Sequence, residues 1–362
     1  MSDQSAYSHL TIYQEHPFNA GTPLEALRRT FITPHDLFYI RSHGSCPIVK
    51  QEDYRLVVNG MVRQSLEFSL TDLLTRFEQQ TITATLVCAG SRRNELAALH
   101  PLSGQVLWDA DPISTATWRG VRLSDILQMA GIEEEARYVA FCGLDEAHEE
   151  GERISFGSSV RLEKALSPEV LLAHTMNGTP LTPEHGFPLR VLLPGYIAAR
   201  SVKWVQTITL QSQPSTNYFQ DRDYKLFPRD ITAETVDWAQ GETLEEIRLN
   251  SVICTPHDGE TRKAGLINVQ GYAITGEDAA IEHIELSLDR GATWIPAPIM
   301  EKTDRWAWCF WEATLELPPG EHQVMVRAWN SAGKTQPESL QPLWNFKGYA
   351  NNAWHQVSFH LS

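Results

Sequence analysis

Near residue 245 the hydrophobic pattern of this chain changes period, and that change limits the fold more than any other feature. Before it, helices and strands alternate. The sequence predicts a strand over Tyr54–Val58 closed by Asn59-Gly60, a helix over Ser69–Phe77 capped by Ser69 or Thr71, and a β-branched strand over Thr81–Val87. A helix over Leu123–Ala130, a strand over Tyr138–Cys142, a helix over Pro168–Met176 and a strand over Leu189–Leu193 follow. After residue 245 only short alternating strands remain: Ile284, Leu286 and Leu288 share one face, Trp306, Trp308 and Phe310 another, and Val324, Val326 and Ala328 a third. A chain of 362 residues exceeds what one core usually organises, so this is an α+β protein of two domains. A mixed α/β domain spans residues 1–242, with an irregular Pro-punctuated arm over 1–50 and a linker over about 211–242. An immunoglobulin-like β-sandwich spans 243–362.

Composition removes several functions. A formal net charge of -15 excludes the basic face that nucleic acid or an anionic membrane surface requires. Cys46, Cys88, Cys142, Cys254 and Cys309 are too few and scattered for a disulfide framework and are expected to be reduced. Residues Met1–Leu10 contain neither Lys nor Arg and no apolar core of a signal peptide, so a cytoplasmic protein is expected. No run approaches the roughly 20 apolar residues that span a bilayer. The chain carries no Walker loop, G-x-G-x-x-G fingerprint, H-E-x-x-H or C-x-x-C-H site, so no nucleotide, haem or flavin is expected.

Chemistry concentrates at Leu86-Val87-Cys88-Ala89-Gly90-Ser91-Arg92-Arg93-Asn94-Glu95, where a strand end delivers a cysteine immediately before two arginines. Guanidinium charge favours a thiolate, the form that ligates a soft metal or attacks an electrophile, and guanidinium forks hold anions. Spacing alone equally allows a buried structural cysteine flanked by surface ion-pair formers.

The segment resembles the cysteine motif of the sulfite oxidase family, C-A-G-N-R-R, with Ser91 in place of Asn. Further similarities run along nearly the whole chain. They include Leu37–Gly44 (family F-x-x-R-N-H-G), Trp108, Trp118–Val121, His185–Arg190 (H-G-F-P-x-R), Pro194–Trp204 (P-G-x-x-G-A-R-x-V-K-W) and Asp223-Tyr224-Lys225. Gln336–Glu338, Trp344-Asn345 and Asn352–His355 resemble the end of that family's dimerisation domain. The resemblance implies a sulfite-oxidase-type fold, a molybdenum bound through Cys88, and a molybdopterin (a pyranopterin dithiolene) held by Arg41, His43, Asp145, His185, Arg190, Arg200, Ser201 and Lys203. It implies sulfite oxidation to sulfate by oxo transfer, with Arg41, Arg93, Trp108, Tyr224 and Lys347 around the substrate, an external electron acceptor (oxygen or a cytochrome) and a homodimer.

Three departures stand out. The family's N-L-R-G reads Asn345-Phe346-Lys347-Gly348, so a bidentate arginine is a lysine. A basic residue four positions before Trp108 is Gly104, and the turn after the ligand carries Ser91. The closest rival is the eukaryotic-type nitrate reductase, which has the same two domains but typically Asn where this chain has Tyr224. A metal-free Cys88–His185 nucleophile pair and a non-catalytic binding protein remain as alternatives.

Overall fold

The computed structural model describes residues 7–276 and 279–362; the first six residues of the expected arm lie outside them. The N-terminal part is built on two mainly antiparallel five-stranded sheets. In one, the strand Gln79–Val87 pairs along its whole length with Ile113–Arg122, which pairs in turn with Leu171–Met176. In the other, Val205–Gln211 lies between Arg55–Gly60, its parallel neighbour, and the long strand Tyr138–Glu149. That long strand turns at Glu150-Gly151 into Glu152–Arg161.

Local sequence explains the helices between these strands. Leu70–Arg76 begins at Ser69, whose hydroxyl accepts the Asp72 N–H at 3.1 Å while the Asp72 carboxylate accepts the Ser69 N–H at 2.9 Å. Leu123–Ala130 buries Leu123, Ile126, Leu127 and Ala130 on one stripe and ends at Gly131, whose φ of 73° suits glycine. The expected helix over Pro168–Met176 is instead a turn and the strand Leu171–Met176. It is flanked by Trp118–Arg122 and Arg190–Leu192, and Leu171, Leu172 and Ala173 are all buried. Burial on both faces removes the alternation that marks a strand.

Beyond residue 245, two sheets pack face to face. One contains Asn250–Thr255, Gly265–Ile274 and Cys309–Leu317, the other Ile281–Ser287, Gly320–Asn330 and His355–Leu361. Val269 and Trp311 from the first meet Leu286, Val324, Val326 and Phe359 from the second in one apolar layer. A separate cluster joins the two halves of the chain: Phe31, Val87 and Ile113 pack against Val252, Tyr272, Ile274 and Trp308. Among the described residues no helix is long and apolar enough to cross a membrane.

Two segments read as irregular carry structure. The arm contains the hairpin Thr11–Gln14/Asn19–Gly21. The expected linker contains a wide helical turn, Phe219–Asp223, followed by Lys225–Leu226 paired with Glu242–Thr243.

Candidate active site

Cys88 follows the last residue of its strand, and its N–H donates to the Pro112 carbonyl at 2.9 Å. The turn closes when Ser91 N–H bonds the Cys88 carbonyl at 3.0 Å. Glycine is needed at position 90 for room: a Cβ there would lie 2.6 Å from the Arg93 guanidinium carbon. The left-handed residue of the turn is Arg92, with φ of 62°. The thiol itself is buried and lines a cavity between the two N-terminal sheets.

The two arginines after Cys88 play different parts. Arg92 turns away from the cavity and clasps the C-terminal half of the chain. It bonds Glu95 at 2.7 and 2.9 Å, Asn250 Oδ1 at 2.9 Å and the Ala353 carbonyl at 2.7 Å. Arg93 lies over the Tyr349 ring at 4.8 Å and donates to the carbonyls of Gly348 and Val106.

Seven of the expected residues line the same cavity as Cys88: Arg41, His43, Asp145, His185, Arg190, Ser201 and Lys203. Tyr224 lines it as well. Arg190 donates to the carbonyls of His185 and Ser201, each at 3.1 Å, and lies over the Trp118 ring. Lys203 Nζ donates to Ser42 Oγ at 2.9 Å and to the Glu184 carbonyl at 2.8 Å. Burial pushes Asp145 up and Lys203 down, each opposed by the other's charge. Burial, reinforced by the Arg41 and Lys203 charges, holds His43 well below the ordinary histidine range, so it is neutral. His43 Nε2 meets the Tyr224 hydroxyl at 2.9 Å, and its ring stacks on Phe156 at 4.7 Å. Burial raises the Tyr224 phenol above its usual range, which keeps its proton in place.

The other four expected residues stand outside the cavity wall. Arg200 is wholly buried and bonds the Leu244 carbonyl, Ser158, Gln220 and the Tyr224 carbonyl, so it is a post beneath Tyr224. Lys347 is paired with Asp223 at 2.5 Å, and Asp223 lies 3.9 Å from His43. Trp108 is fully buried in the cluster that includes Cys88, Phe38 and Tyr39, and its indole N–H bonds to nothing in the protein. Arg93 completes this group beside Tyr349, whose ring stacks at 5.4 Å on that of Tyr224. Sequence reasoning missed Ser42 and Glu184 on the cavity wall. Ser42 stood between two expected residues, and Glu184 directly before His185.

Tyr13 supports Trp108 from behind, beside a buried acid. The Tyr13 ring packs on Trp108 at 4.7 Å, and the Tyr13 oxygen accepts the Asp109 N–H at 3.1 Å. The neighbouring Asp111 carboxyl lies against Gly21 and has one oxygen without a partner. Burial, with Asp109 adding to it, pushes Asp111 from 3.8 up to about 7 against the opposing bond from Tyr13. The folded chain therefore keeps this proton between about pH 4 and pH 7, where the unfolded chain has released it. Stability from this group is full below about pH 4 and falls as pH rises through about 7. We expect Asp111→Asn to stabilise the protein by about 2 kcal/mol more at pH 8 than at pH 5. Urea unfolding at the two pH values checks this, and an equal effect at both would contradict it.

What could occupy the cavity follows from its unmet groups. Three buried polar atoms on its walls have no protein partner: His185 Nε2, Arg190 Nε and Asp145 Oδ1. With the cations Arg41, Arg190 and Lys203 they suit a heteroatom-rich ring system carrying a phosphate. Among the described residues no group of three or more His, Cys, Asp or Glu could hold a metal. A metal at Cys88 must therefore bring its other ligands with it, as a dithiolene cofactor does. The metal-free nucleophile pair gains no support, because His185 Nε2 bonds to nothing in the protein.

This arrangement defines a class, the molybdopterin-binding oxidoreductases: residues 43–219 match the family model of the oxidoreductase molybdopterin binding domain, and residues 242–362 that of the Mo-co oxidoreductase dimerisation domain. Within that class the chain belongs to the sulfite oxidase family. It is 35% identical to the sulfite oxidase of Arabidopsis thaliana, over 97% of this chain and 94% of that protein. It is 36% identical to a nitrate reductase [NADH] of Phaseolus vulgaris, over 97% of this chain but 42% of that protein. The sulfane dehydrogenase SoxCD from Paracoccus pantotrophus has the same fold, with a TM-score of 0.81 at 24% identity, covering 96% of this chain and 88% of that one.

Proposed function

We propose that the chain oxidises sulfite to sulfate at a molybdenum carried by molybdopterin and ligated by Cys88, and passes the electrons to an external acceptor, oxygen or a cytochrome. The observation that carries this reading is the convergence of Cys88, Arg41 and the Tyr224–His43 pair on one cavity whose walls hold unpartnered polar atoms. When bound, such a cofactor supplies two-electron oxygen-atom transfer. The protein supplies the rest. Arg190, Lys203, His185 and Asp145 hold the pterin and its phosphate, and Cys88 fixes the metal. Arg41 offers a rigid donor fork for the anion, and Arg93 and Lys347 add positive charge near Tyr224. Tyr224 stays a phenol and can donate its one hydrogen to a substrate oxygen when neutral His43 donates its Nε2–H to the phenol oxygen from behind. The C-terminal half supports a homodimer through its match to the dimerisation-domain model.

Steady-state assays of the purified holoenzyme decide between sulfite and nitrate. Sulfite is expected to drive reduction of an artificial one-electron dye, and nitrate to give no turnover with reduced viologen. Nitrate turnover without sulfite turnover would overturn the reading. Lys347 carries a single point charge already engaged by Asp223. We expect Lys347→Arg, whose fork reaches Asp223 and the anion together, to lower the sulfite KM about three- to tenfold with little change in kcat. A higher KM would contradict that role.

A further inference from the structure

The amide of Asn19, on the N-terminal hairpin, is the only hydrogen-bonding side chain recorded for the Arg41 guanidinium among the described residues, and it also fixes the backbone that carries Arg41. Its Oδ1 accepts from Arg41 Nη1 at 3.3 Å and from the Ser42 N–H at 2.9 Å. Its Nδ2 donates to Gln14 Oε1 at 2.9 Å and to the Pro17 carbonyl at 3.0 Å, so all its bonds are made inside a fully buried site. The next residue, Ala20, exchanges backbone hydrogen bonds with Ile40 at 2.9 and 2.8 Å, which ties the hairpin to the segment delivering Arg41, Ser42 and His43 to the cavity. The same hairpin braces Trp108 through Tyr13. An arm read as irregular is thus the back wall of the anion pocket.

We infer that Asn19 is a positioning residue for oxyanion binding: it sets the Arg41 guanidinium through a neutral amide. The chemical type matters as much as the geometry. A carboxylate at this place could accept from Arg41 but would neutralise the charge that an anion needs and could not donate to Gln14 and Pro17, whereas an amide both accepts and donates and leaves the full positive charge facing the cavity. One terminal nitrogen of Arg41 is engaged by Asn19 and the Ser42 carbonyl, which leaves the remaining donors for the cavity that Arg41 lines. The inference rests on the reading of Arg41 as an anion-binding residue, and it concerns a sulfur oxyanion, substrate or product, rather than the pterin.

The test uses the holoenzyme, with sulfate as the probe. Wild type, Asn19→Ala and Asn19→Asp are compared by calorimetric titration with sulfate, by molybdenum content, and by sulfite kinetics. Asn19→Asp keeps the oxygen that accepts from Ser42 and Arg41 but loses the Nδ2 donation to Gln14 and Pro17, so a thermal unfolding curve for each variant separates loss of fold from loss of anion binding. The expected result is full molybdenum content in the folded variants, sulfate affinity and sulfite KM worsened by about tenfold or more, and kcat within about twofold. Per folded molecule, with stability taken from the unfolding curves, Asn19→Asp is expected to weaken anion binding at least as much as Asn19→Ala, which a role in folding alone would not produce. Sulfate affinity equal in wild type and Asn19→Asp would overturn the assignment. If wild type binds sulfate more tightly than the variants yet turns over no sulfite, the positioning role stands and the proposed reaction fails.

Discussion

Cys88→Ser is expected to abolish sulfite turnover and to lower molybdenum content, with the fold retained. Among the described residues the thiol is the one soft ligand lining the cavity, at a strand end where the backbone is held by Pro112 on one side and Ser91 on the other. Serine is nearly isosteric and fits the same turn, but its alcohol stays protonated at neutral pH and is a poor ligand for a sulfur-rich metal centre. The loss is therefore chemical rather than structural. Metal analysis and a dye-coupled assay, with a thermal unfolding curve as the control, separate the two causes. Retained activity in a variant of confirmed sequence would refute the ligand assignment.

The largest stability effect is expected at Arg92. Its side chain is fully buried, and it joins the turn after Cys88 to Glu95, to Asn250 and to the Ala353 carbonyl. Burial pushes the Glu95 carboxyl up, but the Arg92 charge and hydrogen bonds outweigh it and leave Glu95 below its ordinary value. Replacing a buried ion pair by well-packed apolar groups is often neutral, whereas removing one partner strands the other. Arg92→Ala removes the ion-pair partner of Glu95, which keeps only a bond from Asn351, and leaves the Asn250 and Ala353 acceptors with only longer bonds from Gln336, so a loss of about 3 kcal/mol is expected. Chemical denaturation of wild type, Arg92→Ala, Glu95→Gln and the double variant measures it as a cycle. A loss under about 1 kcal/mol in Arg92→Ala would show that the clasp contributes little.

Much of the site was legible in the sequence because its residues sit in short runs. Cys88, Arg41, His43, His185, Arg190, Ser201 and Lys203 lie within motifs whose spacing a strand end or a tight turn preserves, and the structure brings them to one cavity. Residues that act through a tertiary partner were not legible. Asn19 is separated from Arg41 by 22 positions, and nothing in its neighbourhood marks it as more than a turn residue. Glu184 lines the cavity while the Tyr7 hydroxyl, 177 positions away, donates a hydrogen bond to its carboxylate at 2.8 Å. Arg200 reads as a phosphate holder by its motif, but the Phe219–Asp223 turn surrounds it and spends its donors beneath Tyr224.

The fold divides in the same way. Capping at Ser69 and alternation in Gly320–Asn330 are local signals and identify their elements well. Leu171–Met176 is a strand only because partners lie on both sides, and helix propensity in a Leu-Leu-Ala run loses to that pairing. The arm and the expected linker lack periodicity because their short elements are held by irregularly spaced contacts of their own: Tyr7, Leu10, Ala20 and Ile40 cluster within the arm, and Lys225 bonds Asp221 and the Trp238 carbonyl within the linker.

The bond between Cys88 and the metal is tested most directly by molybdenum K-edge absorption fine structure on the holoenzyme and on Cys88→Ser, each loaded to measurable metal content. The expected result is one metal–sulfur contact fewer in the variant than in wild type. An identical sulfur shell in both proteins would contradict it.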